Sequence, residues 1–187
     1  DDPEFQAAIE LAKETFHIGY GHTSHGSQII YGISALNNYM NSEVSSDVVT
    51  TDFYTISNGD TGGSSLDLEE GDGYGSGWLD HDIGYSGWWD ETRDYLNGYE
   101  AESGLEDDHS DVNIIMWSWC GQAPGTDLQT HVFDHLDSLE TDFPGVEFIR
   151  MTGHLTSGGD FANNDVIRQE VIDNEKILFD FADIESW

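Results

Sequence analysis

The chain has 187 residues, 37% of them hydrophobic and 12% aromatic, with 38 acidic side chains against 5 basic ones and a net charge of −33. That length and apolar content support one domain with a proper core and set the chain apart from a disordered acidic tail. The charge excludes nucleic acid as a partner and disfavours anionic membrane surfaces, because too few cations exist to neutralise phosphates.

In chain order, "EFQAAIELAKE" (4–14) carries apolar groups at helical spacing and predicts a short helix, and "TFHIGYG" (15–21) reads as a buried strand ending in glycine. From Ser24, the recurrence of Ile29, Ile30, Ile33 and Leu36 predicts a helix to about Met40. "DVVTTDFYTIS" (47–57) is β-branched and predicts a strand. The glycine- and acid-rich stretch 58–87 reads as a long insertion, of the kind that is functional or ion-bound in compact domains. A helix is expected over 88–99, a buried strand over 111–119 and an amphipathic helix over 126–143, stopped by Pro144-Gly145. A strand over 146–152, a helix over 163–174 capped by Asn163 or Asn164, and a last strand over 176–183 complete the pattern.

Strand and helix alternate, and three strands are continuous apolar runs. This predicts an α/β fold with a central parallel sheet covered by helices on both faces, in one domain spanning 1–187 without repeat or linker. Sites in such sheets lie beyond the carboxyl ends of the strands. "GHTSHG", "CGQAPG", "GHLTSGG" and "DIESW" follow strands, so Ser24, Gln122, His154 and Asp183 are expected as neighbours.

Ser24 follows a strand at the start of a helix, where the positive end of the helix dipole favours a developing oxyanion and where a serine also serves as an ordinary cap. "YGHTSHGSQIIYG", "IIMWSWCGQ", "FIRMTGH" and "IRQEVIDNEKILFDFADIESW" resemble a branch of the SGNH (GDSL-like) hydrolase superfamily whose first block is a Gly-His-x-Ser-type turn. "LDHDIGYSGWWDETRDYL" (79–96) resembles its middle segment. The resemblance runs from about residue 15 to the end. It implies a flavodoxin-like three-layer sandwich and an ester-cleaving site with Ser24 as nucleophile. The Ser24 N–H, Gly84 and Gln122 then act as oxyanion donors, Gln122 standing where the superfamily has an asparagine. The superfamily's Asp-x-x-His is not matched: Asp183 is followed by "IES", and no histidine lies beyond His154. His154 leads as the base, with Asp183 orienting a histidine; the alternatives are His22 or His25 beside the serine, an Asp-x-x-His in sequence removed from this chain, or its loss, which leaves a non-catalytic binding or structural module.

His22, His25, His81 and His154 with Asp80 or Asp82 also suit a hydrolytic metal, although no recognised ligand spacing is present. Asp60, Asp67, Glu69 and Asp72 offer oxygens for Ca2+, with a solvated acidic loop as the plainer reading. His131 and His135 stand four apart on a helix, Cys120 sits in an aromatic run that favours a packed, inert thiol, and Trp78, Trp88 and Trp89 are either sugar platforms or core.

The lone cysteine excludes an intrachain disulfide, and no apolar run of membrane-spanning length exists. No signal peptide is visible, and "DDPEF" reads as a trimmed end, so the expectation is a secreted protein acting on a small-molecule or polysaccharide ester, with no cofactor required. The acidic residues are spread along the whole chain, as in a salt-adapted protein or one that binds several cations. Because salt screens self-repulsion, the melting temperature should rise from low to molar salt; an unchanged value in a thermal scan would count against salt adaptation.

Overall fold

In the computed structural model, residues 3–43, 51–57, 63–70, 79, 81–98, 109–155 and 158–186 are described. Among them the elements are α1 (Pro3–Thr15), β1 (His17–Gly21), α2 (Ser27–Glu43), β2 (Ile56–Ser57), β3 (Leu66–Glu70), α3 (Trp88–Leu96), β4 (Ile114–Trp117), α4 (Asp134–Asp142), β5 (Glu147–Met151), α5 (Gly158–Asp173), β6 (Leu178–Phe179) and α6 (Phe181–Glu185). The six strands form one sheet in the order β2-β3-β1-β4-β5-β6, and every pairing is parallel. The fold is a three-layer α/β sandwich.

Strand alternation builds the two cores. On β4, Ile115 and Trp117 face one side with Trp88 and Tyr95 of α3 and Leu136 and Leu139 of α4. Ile114 and Met116 face the other, with Ile29 and Ile30 of α2 and Phe181 of α6. On β1, Ile18 and Tyr20 belong to the second face, while the first is left to Gly19 and Gly21. A Cβ at Gly19 would come within 2.6 Å of the Ile115 side chain, and one at Gly21 within 2.6 Å of the Trp117 ring. Two glycines in a central strand thus make room for large side chains of β4 and α3.

Several expected bounds shift. The stretch 58–87 contains β3, whose Leu66 and Leu68 point inward while its acids lie along the other positions. Of 47–57, only Ile56–Ser57 is strand among the described residues. The expected helix at 126–143 begins as a π-helical turn, Gln129–Phe133, before α4, and there the His131 carbonyl accepts the indole N–H of buried Trp88 at 3.1 Å. α5 starts at Gly158, so Asn163 and Asn164 lie inside the helix and do not cap it. The last expected strand is two residues long and gives way to α6, which carries Asp183.

Helices are clamped to the sheet by charge as well as by apolar packing. Arg150 on β5 is 2% exposed, yet carries a guanidinium 2.6 Å from Glu140 of α4 and 3.5 Å from Glu170 of α5. Burial pushes the Glu140 carboxyl up, but its hydrogen bonds from Lys176 and Arg150 outweigh that and hold it below the usual range. Burial raises Glu170 against the attraction of Arg150. Truncating Arg150 removes the ion-pair partner of Glu170 and leaves Glu140 to Lys176 alone, so Arg150→Ala should lower the unfolding free energy by about 3 kcal/mol in urea titration.

Candidate functional site

The chain leaves β1 towards β2 and β3 on one side and later crosses to β4, β5 and β6 on the other. The crevice beyond Gly21 and Trp117 is therefore the topological switch point, where parallel sheets open between diverging connections. Three segments meet there: 22–26 after β1, 118–123 after β4 and 152–155 after β5.

The first two segments are tied together by Asp82. Its side chain is fully buried and accepts from the Thr23 N–H at 2.9 Å, from the Thr23 hydroxyl and from the Ser118 hydroxyl at 2.5 Å. A buried carboxylate needs this number of donors to offset its lost hydration. Burial raises the Tyr20 phenol well above its ordinary range, with a Ser118 hydrogen bond opposing and the charges of Asp82 and Glu70 adding. The neutral hydroxyl donates to the Gly26 carbonyl at 2.9 Å. A Cβ at Gly26 would lie 2.2 Å from that of His22, so only glycine lets the start of α2 sit this close to β1.

In this setting Ser24 is exposed and stands three residues before α2. Its hydroxyl does not cap the helix; the Ser27 hydroxyl instead donates to the Ser24 carbonyl at 2.7 Å. The polar contact of Ser24 Oγ among the described residues is Cys120 Sγ, at 3.8 Å. His25 Nδ1 lies 3.0 Å from the same sulfur, and the His154 ring stacks on His25 with centroids 4.0 Å apart and planes 13° from parallel. His154 is buried, and its loop is fixed by Asn164 of α5, which accepts from the Gly153 N–H at 2.7 Å and donates to the Gly153 carbonyl at 3.0 Å.

Ser24, His25, Cys120 and His154 are thus brought together, with His25 against the thiol and His154 behind it. The other expected site residues have different places. His22 is buried between the Thr23 carbonyl and Glu70, at 2.8 and 3.0 Å. His81 turns outward to Glu91 of α3 at 2.9 Å. Gln122 donates to the Ile83 carbonyl at 2.8 Å, bracing the loop before α3. Gly84 has φ 88° and lies where a Cβ would come within 2.7 Å of the Trp119 ring. Asp183 is exposed on α6, its N–H donating to Asp180. It is Asp180, one turn earlier, that anchors the loop after β5, accepting from Thr152 at 2.9 Å and pairing with Arg168 at 2.7 Å.

His135 stacks on Trp89 at 3.7 Å, and burial together with Arg93 lowers its basicity. Trp88 is fully buried and belongs to the core. Asp67 and Glu69 lie on β3, where Asp67 meets His17 and Glu69 accepts the Tyr95 hydroxyl. Asp60, Asp72, Trp78 and Asp80 lie outside the described residues.

Asp82 is the residue that reading by sequence missed as a linchpin. Asp82→Ala leaves an N–H and two hydroxyls without their acceptor and should cost about 3 kcal/mol in urea titration, with Ser118→Ala costing about 1 kcal/mol. Compared with known proteins, the chain matches no family model, no curated protein and no solved structure.

Proposed function

We propose that the crevice hydrolyses an acyl bond, an ester above all, by nucleophilic attack, and that Cys120 with His25 is the attacking pair. The observation that carries this reading is the 3.0 Å approach of His25 Nδ1 to Cys120 Sγ, a nucleophile within hydrogen-bond reach of its base. The thiol gives its proton to Nδ1, and the thiolate adds to the carbonyl carbon. The oxyanion forms near the start of α2, where the Ser24 N–H has no acceptor among the described residues. Collapse expels the alkoxide, which takes the proton back from His25. Water then cleaves the thioester, with His25 as base, releasing the acid and restoring the thiol. His154, stacked behind His25, is the positioning residue that fixes the plane of the ring.

A second reading keeps Ser24 as nucleophile, as the SGNH resemblance implies, and is favoured by the exposure of Ser24 at the crevice. An acyl-decorated polysaccharide met outside the cell in saline surroundings suits either reading, since a net charge of −33 selects against anionic substrates.

Hydrolysis of p-nitrophenyl acetate in molar salt, with iodoacetamide and fluorophosphonate labelling, separates these readings. Cys120→Ala should lose about 100-fold or more in kcat/KM, and His25→Gln should slow alkylation of Cys120 about 10-fold, while Ser24→Ala keeps most of the activity. Fluorophosphonate labelling of the parent that vanishes in Ser24→Ala would assign the serine. Neither hydrolysis nor labelling by a folded parent would leave a binding module.

A further inference from the structure

An oxyanion is stabilised by N–H donors that are aimed before it forms. In the acyl-transfer reading of the crevice that donor is the Ser24 N–H, and its direction is set two residues back in the chain, at His22. The Ser24 N–H belongs to the same peptide unit as the Thr23 carbonyl. That carbonyl accepts twice, from the His22 ring at Nδ1, 2.8 Å away, and from the Gly26 N–H at 3.0 Å. No peptide bond among the described residues is cis, and in a trans peptide the C=O and the N–H point in opposite directions. A carbonyl turned in to buried His22 therefore turns the Ser24 N–H out, to the side on which Ser24 is exposed. The preceding peptide unit is fixed as well, since the Thr23 N–H donates to Asp82 at 2.9 Å.

The protonation of the ring follows from its partners. A carbonyl oxygen only accepts, so Nδ1 carries a proton. Nε2 faces Glu70 Oε1 at 3.0 Å, and that contact holds one further proton between an imidazole nitrogen and a carboxylate oxygen. On either atom, it leaves the Nδ1 proton in place. The ring is also held in position by the sheet. Glu70 is the register partner of Tyr20, and the Tyr20 and His22 rings lie with centroids 4.8 Å apart. Gly26 admits the ring, for a Cβ there would lie 2.7 Å from His22 Cγ.

We infer that His22, braced by Glu70, is a positioning residue for oxyanion stabilisation: its Nδ1–H fixes the Thr23 carbonyl and so aims the Ser24 N–H into the crevice. The inference rests on the acyl-transfer reading. It gives His22 a part other than that of a base, since both ring nitrogens are engaged away from the Ser24 hydroxyl and the Cys120 thiol. Donation to the carbonyl end of a peptide also polarises its N–H end, by roughly 10–30% per bond in hydrogen-bonded chains, so His22 strengthens the donor that it points.

The parent is tested first, by nitrogen NMR of the labelled chain in molar salt. His22 should carry its proton on Nδ1; a ring protonated on Nε2 alone would overturn the inference. Two variants then separate aiming from packing. Asn places its amide nitrogen where Nδ1 stands, whereas Gln places its own near Nε2. With p-nitrophenyl acetate, His22→Gln should lose about tenfold or more in kcat with KM nearly unchanged, because the donor acts on the transition state. His22→Asn should recover most of that loss. The Ser24 amide resonance should move in His22→Gln and return towards its parent position in His22→Asn. Equal losses in the two folded variants, or a Ser24 resonance that moves in neither, would reduce His22 to packing and overturn its role. A parent that shows this resonance pattern without hydrolysis would remove the acyl-transfer reading and leave the aimed N–H standing. Should neither variant fold, the protonation of His22 in the parent decides.

Discussion

The crevice depends on one carboxylate. Asp82 is closed off from solvent, and its carboxylate accepts from an N–H and two hydroxyls drawn from the loops after β1 and β4. Loops at strand ends are ordinarily the loosest parts of an α/β domain. Here a buried anion makes their separation non-negotiable, because letting either loop drift would leave the charge desolvated and unmatched. The glycines complete the constraint. Gly19 and Gly21 let β4 and α3 close over β1, and Gly26 lets α2 start against His22. The thiol, the hydroxyl and the imidazole pair reach one another because their backbones are fixed first.

The architecture was legible where burial writes a pattern into the sequence. β4 is an unbroken apolar run, β1 and β5 carry apolar residues among their buried positions, the helices on both faces carry helical spacing, and the parallel sheet follows from their alternation. β3 was not legible, since "LDLEE" has only two apolar residues and is embedded in a run of glycine and acid that resembles a loop. The early start of α5 was hidden for a related reason: "TSGGD" lacks helix formers, and Asn163 and Asn164 carry the signature of caps. Inside the helix they serve as tethers, Asn164 to Gly153 and Asn163 to the Thr126 carbonyl at 3.2 Å. Two-residue β6 is set by pairing with β5, a tertiary event.

The site was half legible. Topology placed the segments holding Ser24, Cys120 and His154 at one edge. It did not say which ring would face which nucleophile, because side-chain direction within a turn is decided by packing. His25 meets Cys120 while the His154 ring stacks on it, and no spacing encodes a stack between residues 129 apart. Asp82 was obscured by abundance: with 38 acids in the chain, an acid that carries a structure looks like any other.

The five basic residues have a final consequence. They lie in α1, α3, β5, α5 and the turn before β6, each engaged with a partner and none more than about one-third exposed in its side chain. A protease that cuts after lysine or arginine must draw an extended stretch of chain into its cleft, and regular, packed elements do not supply one. The native fold therefore guards the bonds after Lys13, Arg93, Arg150 and Arg168, which lie in helices and a strand. Cleavage at those four bonds counts molecules that have opened, and their digestion becomes a gauge of how often the fold comes apart.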